Sequence, residues 1–327
     1  MQTFLHRKFK LNFNRLINSN HLLIAISGGQ DSICLIKLLN DYLQRKSIKK
    51  IEAIYIDHQW KKDSQQHAKH LINIMKNSLI PLTIYQIKDT VFSEAEARQL
   101  RYKILVKHAR IKKYNTIITG HNQNDCIETL INNLLRGTSL NGITNLTSKK
   151  QICNKILLVR PLINFTRPEI TWFCRQFCLP IWSDKTNYNH NVTRNKLRNE
   201  LIPYLENQFN PNLQYNLCKF LELCQDDNEY IKENTIKLYI KSRHRYLISL
   251  NLNLLKKQHV ILQRRVLQLF FHYNFNQNIS NKILKTIIML ENHNNFNKYT
   301  IFANNLIIEY TDGWIYTNFS YKYQNNK

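Results

Sequence analysis

Ser27-Gly28-Gly29-Gln30-Asp31-Ser32 stands between an apolar run, His21-Leu22-Leu23-Ile24-Ala25-Ile26, and the stretch Ile33-Cys34-Leu35-Ile36-Lys37-Leu38-Leu39. The upstream block has the length and aliphatic content of a buried parallel strand, and the downstream apolar residues recur at helical spacing. Paired glycines let the backbone turn sharply and approach a ligand closely. The first amides of the following helix then face an anion, with the helix dipole behind them. Strand, small-residue loop and helix in this order make a phosphate cradle. A plain strand-to-helix turn is the alternative. Serines on both sides of the glycine pair and Asp31 at the helix start favour the cradle.

Outward from this loop, strand-like and helix-like blocks alternate through the first two hundred residues. A strand at 51–56 ends in Asp57-His58, a helix covers 63–79, and a strand follows at 81–87. A helix at 93–113 then leads to a strand at 116–120. Such alternation predicts an α/β fold with a doubly wound, mostly parallel sheet. Ligands in these sheets bind beyond the carboxyl ends of the strands, where Ser27, Asp57, His58, Gly120 and His121 all fall. Past residue 205 the pattern changes. Pro203 and the Asn-Pro-Asn at 210–212 precede a long helical stretch at 213–241. A strand at 246–251, helices at 255–274 and 279–291, and strands at 299–302, 305–310 and 314–318 complete the chain. We expect a nucleotide-binding domain over 1–205 and a smaller α-rich domain over 206–327, with a frayed tail from Tyr321.

Among 327 residues, Lys and Arg exceed Asp and Glu by 47 to 22, a net charge of +25. A chain this basic points to a polyanionic partner, nucleic acid first. AT-rich codon usage also inflates Lys and Asn, but it does not explain the shortage of acids. Basic clusters at Lys241–Arg245, Lys256-Lys257 and Arg264-Arg265 read equally as solvated faces or as RNA contacts. The seven cysteines are irregularly spaced without a Cys-x-x-Cys, so neither a zinc ribbon nor a redox pair is indicated. No apolar run approaches the roughly 18 residues of a spanning helix, so no membrane partner is expected. Residues 1–15 are basic and acid-free like a transit peptide. The first core strand begins at residue 21, so 4–18 reads instead as an amphipathic helix of the mature fold. Composition and this N-terminus suggest a plastid-encoded protein of the stroma, with the cytoplasm of an AT-rich bacterium as the alternative.

The hexapeptide resembles the Ser-Gly-Gly-x-Asp-Ser loop of the N-type ATP pyrophosphatases. The Walker pattern needs a Gly-Lys-Ser/Thr, which is absent, and the dinucleotide pattern needs a third spaced glycine. A second signal is Thr119-Gly120-His121-Asn122-Gln123-Asn124-Asp125-Cys126-Ile127-Glu128-Thr129. On a helix, Asp125 and Glu128 share a face with His121 one turn earlier. Carboxylates near ATP phosphates hold Mg²⁺, although spacing alone admits a merely polar helix start. The stretch is similar to the His-His-x-Asp-Asp-Gln-x-Glu-Thr signature of tRNA(Ile)-lysidine synthetases, with Asn122, Asn124 and Cys126 as departures. Glu94-Ala95-Glu96-Ala97-Arg98 with Arg101-Tyr102, Leu135-Arg136-Gly137-Thr138, Arg160-Pro161-Leu162, Arg167-Pro168-Glu169-Ile170, Trp182–Asn187 and Arg194–Arg198 fall in that family's order. The long bacterial members of the family it resembles carry a further C-terminal domain, which we expect to be absent or abbreviated here.

The resemblance implies a ligase that uses ATP and Mg²⁺. ATP adenylates O2 of the wobble cytidine in the CAU anticodon of tRNA(Ile), releasing pyrophosphate. Free L-lysine then attacks C2 and expels AMP, giving lysidine. Ser27 to Ser32 with Asp57, His58 and Gly120 would hold ATP, and Asp31, Asp125 and Glu128 the metal. Arg98 and Arg101 would clamp phosphate or the flipped nucleotide, their alternative being surface pairing with Glu94 or Glu96. Asp57, Asp125 or Glu128 would meet lysine, and His121 or His58 would take its proton. Arg136, Arg194, Lys196 and Arg198 would lie near the tRNA backbone, the last three spread around one helix end. A tRNA 2-thiolase on the same loop is a second reading, though Cys174 and Cys178 are wrongly spaced for it. A non-catalytic tRNA-binding relative is a third. Oligomeric state, including a homodimer, stays open.

Overall fold

The structure, a computed structural model, describes residues 2–44, 48–57, 59, 64–87, 94–182, 193–290, 298–303 and 305–319. His58, the 183–187 part of the family block and the tail from Tyr321 lie outside the described residues. The chain divides into two compact units, Met1–Cys224 and Gln225–Lys327.

In the first unit, β1 (His21–Ile26) runs parallel to β2 (Lys50–Asp57) on one side and to β4 (Thr116–Thr119) on the other. With β3 (Leu82–Gln86), β5 (Lys149–Cys153) and β6 (Ile156–Val159), the sheet order among the described residues is β3-β2-β1-β4-β6-β5. Only β5 runs antiparallel, against β6. Leu22, Leu23 and Ile24 are fully buried, as expected for a strand covered by helices on both faces. One face carries α1 (Phe4–Leu16), α2 (Gln30–Leu43), α3 (Ser64–Met75) and α7 (Arg167–Gln176). The other carries α4 (Glu94–Ile111), whose Leu105 and Ala109 pack with Ile54, Ile117 and Leu158. Because chain order reverses between β1 and β4, a crevice opens beyond their carboxyl ends.

The expected α1 is an integral helix. Leu5, Phe9 and Phe13 enter the main core, and Lys8 Nζ pairs with Glu169 at 2.8 Å across to α7. The β5–β6 hairpin was not expected. Its apolar member is only four residues long, and its outer strand begins with exposed Lys149-Lys150-Gln151.

Helix α10 (Leu213–Ser242) runs past the division between the units. The second unit adds α11 (Leu252–Lys256), α12 (Val260–Phe275) and α13 (Asn281–Met289) to an antiparallel sheet. That sheet comprises β7 (Ser249–Asn251), β10 (Trp314–Phe319), β9 (Leu306–Thr311) and β8 (Lys298–Ala303), in that order. The single helix expected at 255–274 is broken, because the His259 imidazole accepts from the Ile261 amide and starts α12 afresh. Lys241, Arg243 and Arg245 are exposed as expected, whereas Arg264 and Arg265 are half-buried. No described helix is long and apolar enough to cross a membrane.

The Phe9 ring lies tilted against Phe13, 5.2 Å between centroids, and is almost fully buried. Phe9→Ala should destabilise the first unit by about 3–5 kcal/mol, read as a lower denaturant midpoint for that unit's transition.

Candidate active site

The loop after β1 is shaped by close approaches that exclude side chains. Gly28 has φ +73°, and a Cβ there would lie 2.1 Å from His67 Nε2, because the imidazole covers the turn. That ring is itself stacked on Trp182, 5.5 Å between centroids. Gly29 caps α2, and Ser32 Oγ donates to the Gly29 carbonyl at 2.8 Å. From the far side, a Cβ on Gly120 at the end of β4 would sit 3.3 Å from the Asp31 carbonyl and the Ser32 amide nitrogen. The Gln30 side chain donates to Thr171 Oγ1 at 2.8 Å, tying the loop to α7. The first amides of α2, which have no partner inside the helix, therefore open on the β1/β4 crevice.

Helix α5 (Gln123–Leu135) starts at the same crevice. Asn122 and Asp125 form a reciprocal cap: Asn122 Oδ1 accepts from the Asp125 amide at 3.1 Å, and Asp125 Oδ2 accepts from the Asn122 amide at 2.9 Å. The Asn122 side chain also hydrogen-bonds Asp31. The departures at 122, 124 and 126 thus have local structural roles. Asn124 accepts from the Arg167 amide and donates to Gln214, and Cys126 packs with Leu130, Leu146 and Ile163.

Arg194 and Arg198 do not spread around a helix end. Short α8 (Thr193–Lys196) runs into a π-helical turn, Leu197–Leu201, a form frequent at functional sites. Both guanidiniums reach the α5 carboxylates. Arg194 donates from Nε to Glu128 Oε2 at 2.7 Å and from Nη2 to Asp125 Oδ1 at 2.6 Å. Arg198 donates from Nε to Glu128 Oε1 at 2.5 Å and from Nη2 to Glu128 Oε2 at 2.9 Å. The Glu128 side chain is only 1 % exposed, and a carboxylate so buried requires such pairing. Lys196 is exposed.

Asp31 is the under-compensated acid. Burial and then the charge of Asp125 push its pKa up to about 6, against the Asn122 hydrogen bond and the charges of Arg167 and Arg198. His121, whose Nδ1 lies 2.9 Å from Thr119 Oγ1, is pushed down to about 3 by burial and then by Arg160, Arg98, Arg194 and Arg101. It is therefore neutral near pH 7. Arg160 and His67 were not singled out as site residues. Arg160 is 3 % exposed, donates to the Thr147 carbonyl at 2.6 Å and hydrogen-bonds Tyr102. A charge closing the apolar Leu157-Leu158-Val159 was the available signal for it. Nothing in the sequence marked His67.

Asp57 ends β2 on the same rim, two residues past the Tyr55 that pairs with Ile26. The Asp57 oxygens accept from the Gln59 amide at 2.9 Å and from Ser64 Oγ, holding the turn into α3. Arg136 is exposed at the far end of α5, about 20 Å from its start. Among the described residues no three His, Cys, Asp or Glu side chains form a ready metal cage. Hard carboxylate oxygens on Asp31 and Asp125, with Asp31 short of counter-charge, nonetheless fit Mg²⁺, which keeps several waters and takes few protein ligands. Glu128 has both oxygens engaged by arginine.

A Gly-Gly turn at the switch point of a parallel sheet, with acids and arginines converging on it, defines a PP-loop nucleotide-binding domain, and the PP-loop domain family matches residues 1–205. The chain is 44% identical over 318 residues to the chloroplastic tRNA(Ile)-lysidine synthase of Gracilaria tenuistipitata var. liui, covering 96% of this chain and 98% of that one. It is 36% identical over 320 residues to the chloroplastic tRNA(Ile)-lysidine synthase of Pyropia yezoensis, covering 96% and 95%. Identity to the tRNA(Ile)-lysidine synthase of a Nostoc species is 40% over 276 residues, covering 78% and 80%. The chain belongs to the tRNA(Ile)-lysidine synthase family, a family of ATP-dependent ligases. Among solved structures, a U34-tRNA thiolase of Methanococcus maripaludis shares the fold, with TM-score 0.58 at 18% identity over 68% of this chain and 77% of that one.

Since the folded-state pKa of Asp31 lies above its ordinary 3.8, its ionisation lowers stability as pH rises through that window. Asp31→Asn should therefore be more stable than the parent at pH 8, by on the order of 1–3 kcal/mol. The gain should vanish near pH 4, as thermal unfolding at the two pH values will show.

Proposed function

We propose that this protein ligates L-lysine to C2 of the wobble cytidine in the CAU anticodon of tRNA(Ile), forming lysidine and shifting codon reading from AUG to AUA. The observation that carries this is the convergence, at one sheet switch point, of the α2 amides and Asp31 with Asp125, Glu128 and their two arginines. Ser27 to Ser32 and Gly120 frame the triphosphate site, where the loop amides stabilise charge on the departing pyrophosphate. Asp31 and Asp125 would hold Mg²⁺, which screens the phosphates, with Glu128 behind them. Capture of AMP by a weak carbonyl oxygen needs alignment and charge neutralisation more than covalent help. Arg98, Arg101 and Arg160 supply positive charge on the His121 side of the crevice. His121 is a poor base beside those arginines. Phosphates entering the site offset them and make it fitter to take the proton of the attacking lysine amine.

Asp125 and Glu128 are the anionic pole for lysine. Arg194 and Arg198 serve that pole and the tRNA backbone. Residues 1–205 carry catalysis and 206–327 contact tRNA, with Lys196, Arg136 and the exposed basic cluster at 241–245 on phosphates. The work takes place in the plastid stroma, in keeping with chloroplastic relatives. The thiolase reading is disfavoured by chemistry: Cys174 is buried in α7 with its thiol donating to the Gln30 carbonyl, while Cys178 is exposed.

Incubation with Mg-ATP, labelled lysine and CAU-bearing tRNA(Ile) should place label in the tRNA, with AMP and pyrophosphate in equal amounts. Asp31→Ala should keep tRNA binding while AMP formation falls at least a hundredfold. Sulfur-dependent labelling, or turnover surviving that substitution, would overturn the assignment.

A further inference from the structure

Helix α4 and edge strand β5 enclose an open cleft of about 820 Å³ in the first unit. Its floor is apolar, made by Tyr102 and Val106 of α4 and Ile152 of β5. Four cations, Arg98, Lys103, Lys107 and Arg110, line it, and no Asp or Glu does among the described residues. All four are exposed. Along α4 they span about 18 Å, the length of about five stacked nucleotides, with Arg98 and Lys107 on either flank of the Tyr102–Val106 face. The Arg98 guanidinium lies 5.9 Å from the Tyr102 ring centre, and Arg98 also acts electrostatically on His121. One end of the cleft therefore opens beside the active site.

We infer that this cleft holds a single-stranded stretch of the RNA next to the nucleotide being modified, phosphates on the basic rim and bases on the apolar floor. The inference rests on the tRNA-modifying function proposed above. Phosphates alone would explain four cations, but a duplex buries the faces of its bases and leaves an apolar floor unused. Unpaired bases have free faces to lay on Tyr102 and its neighbours. A second copy of this chain is a poor occupant. Each copy carries a net charge of +25, and a cationic rim repels another such surface.

The test is a full-length variant combining Lys103→Gln, Lys107→Gln and Arg110→Gln, solvent-facing changes that leave Arg98 in place. Titration of CAU-bearing tRNA(Ile) at several salt concentrations reads the number of phosphate contacts directly. The slope of log affinity against log salt should fall in magnitude by about 2, about 0.7 per single-strand contact. In lysine transfer, KM for tRNA should rise about tenfold with kcat nearly unchanged. Val106→Ser should weaken an unpaired anticodon-loop oligonucleotide and leave binding of a plain RNA duplex unaltered. An unchanged salt slope and KM would overturn the cleft assignment, as would a wild-type dimer that the triple variant dissociates. If wild-type protein bound tRNA but transferred no lysine, the proposed reaction would fail, while the salt slope would still decide the cleft.

Discussion

Two backbone segments, the turn after β1 and the end of β4, approach so closely that one added methyl at Gly120 would touch both Asp31 and Ser32. That proximity follows from parallel pairing of β1 with β4 and from Leu22, Leu23 and Ile24 being sealed on both faces. It brings the start of α2 and the start of α5 to one crevice, so that Asp31 and Asp125 feel each other. The charge arrangement of the site follows from that crowding. Arginines converge because acids have been forced together, and His121 is kept neutral by its burial and then by the arginines around it.

The strand-loop-helix at 21–39 was legible because three independent signals agree there: a buried strand run, a glycine turn and helical periodicity. Nearby strands and helices were legible for the same reason. Arg194 and Arg198 were not. Their partners lie about seventy residues earlier, and no one-dimensional pattern joins an arginine to a carboxylate that far away. A π-helical turn also changes which residues share a face. The same blindness leaves Asn122, Asn124 and Cys126 as bare departures from the family signature. Asn122 is a helix cap and a ligand to Asp31, and Asn124 bridges α7 to α10. The chemistry of a side chain was visible in the sequence, but its partner was not.

Asp31 illustrates a wider tension in the fold. A carboxyl group held half-buried beside another acid weakens the domain that holds it, and a different residue would pack there at lower cost. Strain of this kind persists where the unfavourable group has a task that relaxed packing would not perform. Gly28 under the His67 ring is the steric counterpart. The missing side chain there makes room for the imidazole that covers the turn.

Finally, the guanidinium pair resting on Asp125 and Glu128 means that these buried carboxylates already have cationic partners. A newcomer with a positive head must displace a tethered competitor instead of loosely held water. Diffuse polyamines lack the matched hydrogen bonds to evict the bidentate Arg198 from Glu128. Any cation reaching Glu128 is therefore in contest with the protein's own side chains.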